Sequence, residues 1–319
     1  SNSLTIQATQ TCSSFANYKS PLPIFVVSTN GTGFPGGTSC GAGCTPKKTK
    51  VECDVKVIWN GEGQFNNMTD MANNAAVHYD RKAIMNYRGA TSMSMAKKPY
   101  AFDTGKKDLD SNGSVVKGNA SLLGLPEEKD WILYASYGDK SMMRNKLAMD
   151  LYKEMGYYAS NMVYVDLFID GDYKGVYILM EQYKQDDYRL NVAKDTATAT
   201  PEEIGYIFKL DKIDSNTAPE VWERNISFCG GLCGDSSICR TASNADVACA
   251  GIGQYRGYEI IYPEADESFN YTAKKAYIKN FVQSFEQSLN AAASDVDFAN
   301  IFENYIDLQS FVDYFIMAE

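Results

Sequence analysis

Hydrophobic positions recur every four residues along "DKSMMRNKLAMDLYKEMG" at 139–156, where Met143, Leu147, Leu151 and Met155 fall on one line with Ala148 beside it. Side chains three and four apart share a helix face, and nothing β-branched interrupts the run. The spacing predicts an α-helix with one stripe turned to the core. Asp139 or Ser141 stands where it can accept hydrogen bonds from the free N–H groups of the first turn, and Gly156 supplies a left-handed residue to end the last. Before the helix, "WILYASY" from Trp131 has the composition of a strand; after it, "MVYVDLFIDGDYKGVYILMEQ" predicts two strands about an Asp170-Gly171 turn.

Elsewhere the pattern changes from period four to period two. "LPIFVVST" and "KVECDVKVIW" predict strands separated by a Gly-rich loop with two cysteines, and "AIMNYRGATS" and "KKPYAFDT" predict two more, joined by a short polar turn at Ala90 to Ser94. "GYIFKLD" and "GYEIIYP" complete the strands, while 225–251 has no periodicity and reads as a disulfide-tied surface lobule. Helical spacing returns at 272–290 (Ile278, Phe281, Val282, Phe285, Leu289) and at 307–319 (Leu308, Phe311, Val312, Phe315). The last run reaches Glu319 without a Gly, Asn or Pro stop signal, so this helix is expected to be cut in mid-element. The chain divides on this reading into a β-rich, disulfide-containing region 1–80, a core 81–211, a Cys-rich insertion 212–257 and a helical lobe 258–319.

A chain of 319 residues, 45% hydrophobic and 22% charged, can bury a sizeable core in two domains or lobes, and no apolar run is long enough to span a bilayer. The net charge of −10 argues against a nucleic-acid or anionic-membrane surface, so a phosphate-bearing ligand would need a local basic pocket. Eight cysteines fall in two even groups, Cys12, Cys40, Cys44 and Cys53, then Cys229, Cys233, Cys239 and Cys249. They are expected to form disulfides within each group; zinc is the rival reading, but the paired two-residue spacing of zinc ribbons is missing. Asn-x-Ser/Thr acceptors stand at Asn30, Asn67, Asn112, Asn119, Asn225 and Asn270. No leader precedes Ser1, so the chain is expected to be mature, and the whole pattern suits a secreted or cell-surface glycoprotein.

Candidate chemistry is sparse. A single histidine, His78, leaves no room for the common triads or His-based metal sites and reads as an ordinary polar residue. "GTGFPGG" at 31–37 has the spacing of a phosphate-cradling loop, but proline and a cysteine loop follow where a helix should begin, so it reads as a turn. Asp166, Asp170 and Asp172 alternate as cation ligands sometimes do, although hairpin turn chemistry explains Asp170 better. Arg144 and Asn145 lie near a helix N-terminus, where backbone N–H groups and a cation together suit a phosphate.

The more specific constellation is spread along the chain: "YRGATS", "KKPY", "DKSMMRN", "GVYILMEQ", "GYIFKLDK", "IIYPEADE" and "DLQSFVDYFIMAE". In this order the motifs resemble the CotH kinase family, atypical protein kinases of spore coats and fungal surfaces. The resemblance implies an α+β, two-lobed protein-kinase-like fold with a β-rich amino-terminal lobe and a helical carboxy-terminal part, apparently truncated at Glu319. It also implies binding of ATP with Mg²⁺ and phosphorylation of serine on an extracellular protein substrate; a noncatalytic structural or adhesive glycoprotein, meeting a matrix partner, is the alternative. Lys98 matches the family's lysine, with Lys97 as a solvent-facing neighbour; Arg88 and Gly89 would shape a loop over the phosphates, Arg144 would point to the same cleft, and Glu181 would either orient a basic residue or mark the hinge near adenine. The carboxylates that supply base and metal ligands in the family follow the helix that "FVDYFIMAE" resembles, so the catalytic residues are expected beyond Glu319.

Overall fold

This computed structural model describes residues 15–35, 49–73, 75–89, 91–212, 221–223, 256–265 and 268–318. The elements in chain order are β1 (Lys19–Ser20), β2 (Ile24–Ser28), β3 (Val51–Ile58), β4 (Asn66–Asn67), β5 (Val77–Tyr87), β6 (Tyr100–Thr104), β7 (Asp130–Tyr134), α1 (Arg144–Glu154), β8 (Met162–Ile169) and β9 (Asp172–Glu181). They are followed by β10 (Ile207–Lys212), β11 (Val221–Glu223), β12 (Arg256–Tyr262), α2 (Tyr271–Ala291), α3 (Asp295–Tyr305) and α4 (Leu308–Ala318), giving an α+β fold. The chain forms two compact units, one of 1–39, 46–149 and 160–182, the other of 40–45, 150–159 and 183–319.

The first unit is a closed barrel in the order β2-β3-β5-β6-β7-β9-β8, antiparallel throughout except where parallel pairing of β2 with β8 closes it. Alternation along β3 shows why it forms: Val51, Cys53, Val55 and Val57 are buried while Glu52 and Asp54 are exposed. Phe25, Phe102, Trp131, Leu133, Leu167 and Leu179 fill the interior with no more than 1% exposure each. The predicted boundary at residue 80 falls inside β5, and β2 and β3 share one sheet with β5 to β9. The division into 1–80 and 81–211 is therefore corrected: strand pairing, which local pattern does not encode, joins the two stretches into one barrel.

Cys53 also departs from expectation. Its thiol is free and fully buried, with Sγ 3.5 Å from the Val51 carbonyl, because its place in the alternation turns it into the barrel core. Burial pushes its pKa up to about 12. The other seven cysteines, Asn225 and most of the Cys-rich insertion lie outside the described residues. Alkylation of the native protein should leave Cys53 unmodified until denaturant is added; peptide mapping that found it labelled at the same rate as a small free thiol would contradict its burial.

Helix α1 has the predicted ends. Asp139 Oδ2 accepts from the Arg144 N–H at 2.9 Å and Gly156 turns the chain at φ +90. Its predicted core stripe is not buried, however: Met143, Leu147, Leu151 and Met155 are 40–58% exposed. Periodicity fixed the helix and its apolar face, but whether a neighbour covers that face is decided by packing.

In the second unit β10, β12 and β11 form a sheet, and Ile278 and Val282 of α2 bury themselves against Ile260 with Tyr206, Tyr258 and Tyr271 around them. Phe281, predicted on the same face, is 40% exposed. The sequence reading missed α3, whose start is signalled by a capping box: Ser294 Oγ accepts from Asp297 N–H at 3.3 Å while the Asp297 carboxylate accepts from Ser294 N–H at 3.0 Å. Helix α4 carries exposed Leu308, Phe311, Val312, Tyr314, Phe315 and Ile316. No helix among the described residues is long and apolar enough to cross a membrane.

Candidate anion-binding site at the barrel mouth

Strand register brings the end of β2, the start of β3, the end of β5, the start of β6, the end of β7 and the β8–β9 turn to one end of the barrel. Strand β9 runs past its last pairing with β7, Ile178 with Tyr134, leaving Gly175, Val176 and Tyr177 without a β7 partner at this mouth. The chain between β5 and β6 fills the gap. Its base is closed by the Arg88 N–H donating to the Pro99 carbonyl at 2.9 Å, and it carries a 3₁₀ turn at Thr91–Ser94. Gly89, at φ +92, opens this excursion, and a Cβ there would meet Ser92 Oγ at 1.9 Å.

Two lysines close the excursion in opposite senses. The Lys98 ammonium folds back to donate to the carbonyls of Met93 and Met95, and it lies 5.5 Å from the centre of the Tyr87 ring. The Lys97 ammonium crosses to β9, donates to the Val176 carbonyl and sits 4.6 Å from the Tyr177 ring centre. Lys97 is half-buried, not solvent-facing as expected, and desolvation holds its pKa below the usual lysine value. Beneath them, Tyr87, Tyr100 and Tyr177 pack at 5.3 and 6.0 Å, and Phe34 closes on Tyr87 and Tyr100 at 5.7 and 5.1 Å.

The other predicted residues divide. Arg88 and Gly89 share the mouth with Lys98, and the Arg88 side chain is exposed with no ion pair among the described residues. Arg144, its side chain 83% exposed, pairs with Asp139 at 3.8 Å, and no contact among the described residues joins it to Arg88, Lys97 or Lys98. Glu181 is five residues beyond Val176 on β9, roughly 17 Å at a strand's rise per residue. It is fully buried, and its Oε2 accepts from the N–H and Nδ2 of Asn161 at 3.2 and 2.6 Å. Distance along the strand keeps Glu181 away from the mouth, and it stands one residue before the first unit's boundary at Gln182.

A carboxylate stands at the base of the glycine loop. Asp170 takes the Thr29 N–H and Oγ1 at 2.7 and 2.6 Å, and Thr29 Oγ1 takes the Gly33 N–H at 2.8 Å, which suits a turn and opposes an anion there. The alternating aspartates have three separate tasks: Asp166 is buried and accepts from the Tyr173 hydroxyl at 2.6 Å, Asp170 holds Thr29, and Asp172 pairs with Lys174 at 3.5 Å. His78 Nε2 accepts from the Leu123 N–H at 2.8 Å and its ring packs against Trp59, so burial lowers its pKa. Of the sequon asparagines, Asn30, Asn112, Asn119 and Asn270 are exposed and Asn67 is half-buried.

Gly175 and Tyr177 went unrecognised in the sequence, although both stand in "KGVYILMEQ". The signal was there: a glycine inside a strand run often marks close approach of another group.

These features define a β-barrel unit with a cationic, tyrosine-floored mouth, continuing into an α+β unit with a small sheet and helices. The chain belongs to the CotH kinase protein family, whose match covers residues 85–319. That span begins inside β5, so β2, β3 and most of β5 precede it. No curated protein matches the sequence.

Proposed function

We propose that this chain is the phosphate-gripping part of a secreted CotH-like protein kinase of two-lobed, kinase-like fold, which transfers the γ-phosphate of ATP to serine on an extracellular protein. The observation that carries the reading is the gathering of Arg88, Lys97 and Lys98 at one barrel mouth of an acidic chain, in a member of a kinase family. Charge on a transferred phosphoryl group is spread over several oxygens, and cations clustered about one opening suit it. The Lys97 and Lys98 ammonium groups lie over the Tyr177 and Tyr87 rings, and Tyr100 packs between those two rings. ATP itself would supply the phosphoryl group. Among the described residues no three His, Cys, Asp or Glu side chains converge to hold a metal ion by themselves, so Mg²⁺ would arrive on the phosphates of ATP, where one or two carboxylates are enough to hold it. Exposed sequons support the extracellular setting.

A noncatalytic, structural or adhesive glycoprotein of the same fold is the second reading, favoured by the fact that both lysine ammonium groups already serve backbone carbonyls. Calorimetry with ATP at low salt separates the two. Saturable binding that weakens as salt rises and is lost when Arg88, Lys97 and Lys98 are all changed to alanine is expected. Heat that never saturates, or binding that survives the triple change, would favour the second reading.

A further inference from the structure

Resting on that reading, we infer that Lys97, set by Tyr177 and Gly175, is the lysine that meets the phosphate, whereas Lys98 staples the excursion that carries it. An ammonium has three donors. Lys98 spends two on carbonyls within five residues of itself, Met93 and Met95, so its contacts are those of a loop clasp. Lys97 spends one, on Val176 of a different strand, and keeps two for a ligand. It also spans β5–β6 and β9, so an anion bound there is held by the barrel wall and not by a loop alone.

Its surroundings keep it usable. Gly175 has φ +96, and a Cβ built there would stand 3.7 Å from Lys97 Nζ and 3.8 Å from Cε, on ground an approaching oxygen would otherwise occupy. Tyr177 is 2% exposed and fixes both lysines at once: its ring lies beneath the Lys97 ammonium, and its hydroxyl donates to the Lys98 carbonyl at 3.0 Å. Tyr177 is a positioning residue, since it acts through the lysine and not on the ligand.

The test is ATP affinity of the 319-residue chain by calorimetry, with melting temperature recorded for every variant. Lys97→Ala should lose about ten- to a hundredfold in affinity, the value of one charge-assisted contact. Lys98→Ala should lower the melting temperature and cost less affinity than Lys97→Ala. Tyr177→Phe, which keeps the ring beneath the Lys97 ammonium, should lose less affinity than Tyr177→Leu, which removes it. A readout that packing alone would not move is the pH profile. Burial lowers the Lys97 pKa, so the parent should lose affinity as pH rises through a window below that in which an ordinary lysine deprotonates, while Lys97→Arg stays charged and flat. Tyr100 and Tyr177, raised by burial, stay neutral in that window. Binding that depends on Lys98 more than on Lys97 overturns the assignment and leaves the nucleotide reading standing. A parent chain that does not bind ATP at all sinks both.

Discussion

Lys274→Met is expected to destabilise the protein by about 3–5 kcal/mol, the cost of leaving one partner of a buried ion pair alone. Lys274 is 1% exposed and its ammonium meets Oδ1 of Asp195, whose side chain is 7% exposed. Asp195 Oδ2 accepts from the Ser268 hydroxyl at 2.5 Å, and the Asp195 N–H donates to the Tyr262 hydroxyl, so the carboxylate is held in place and cannot swing out to water. The lysine stands in the first turns of α2, where a helix disfavours a cation. Its position there makes sense only with Asp195 opposite. Urea denaturation checks the value. A loss below about 1 kcal/mol would mean that Asp195 finds another counter-charge. Removing both charges in Lys274→Met/Asp195→Leu should recover most of the loss, because two apolar groups need no counter-ion.

Trp131→Ala should cost about 3–5 kcal/mol through the cavity it leaves. Trp131 is fully buried at the start of β7, between Phe102 of β6 and Glu181 of β9. Its Nε1 donates to the Glu128 carbonyl at 3.1 Å, but that carbonyl also accepts from the Ala120 N–H at 2.9 Å and the Thr104 hydroxyl at 3.2 Å. Loss of the indole donor therefore strands no polar group, and lost packing dominates the cost. Trp131→Phe, which refills most of the volume, should cost much less than Trp131→Ala in the same denaturation measurement; equal costs would show that the hydrogen bond, not the cavity, governs.

Much of the fold was legible locally. The turn at Asp170-Gly171, the ends of α1 and the strands around "YRGATS" and "KKPYAFDT" follow from residues within a few positions of one another. Motifs in order were enough to identify the family. The site was legible only in part: Arg88, Gly89 and Lys98 were named and do share the barrel mouth, but Lys97 was taken to face solvent, and Tyr177 was passed over for Glu181 in the same strand.

The difference has one physical origin. Periodicity and turn chemistry are short-range, so the sequence by itself determined which segments become strands or helices and which of their faces are apolar. Tertiary structure alone decided that β2 closes on β8 in parallel, that Cys53 faces the barrel core, and that the stripe of α1 stays exposed. It also decided which of the two lysines crosses to β9. Adjacent residues in an extended segment point opposite ways, and which of them reaches β9 depends on a strand that lies about eighty residues further along the chain.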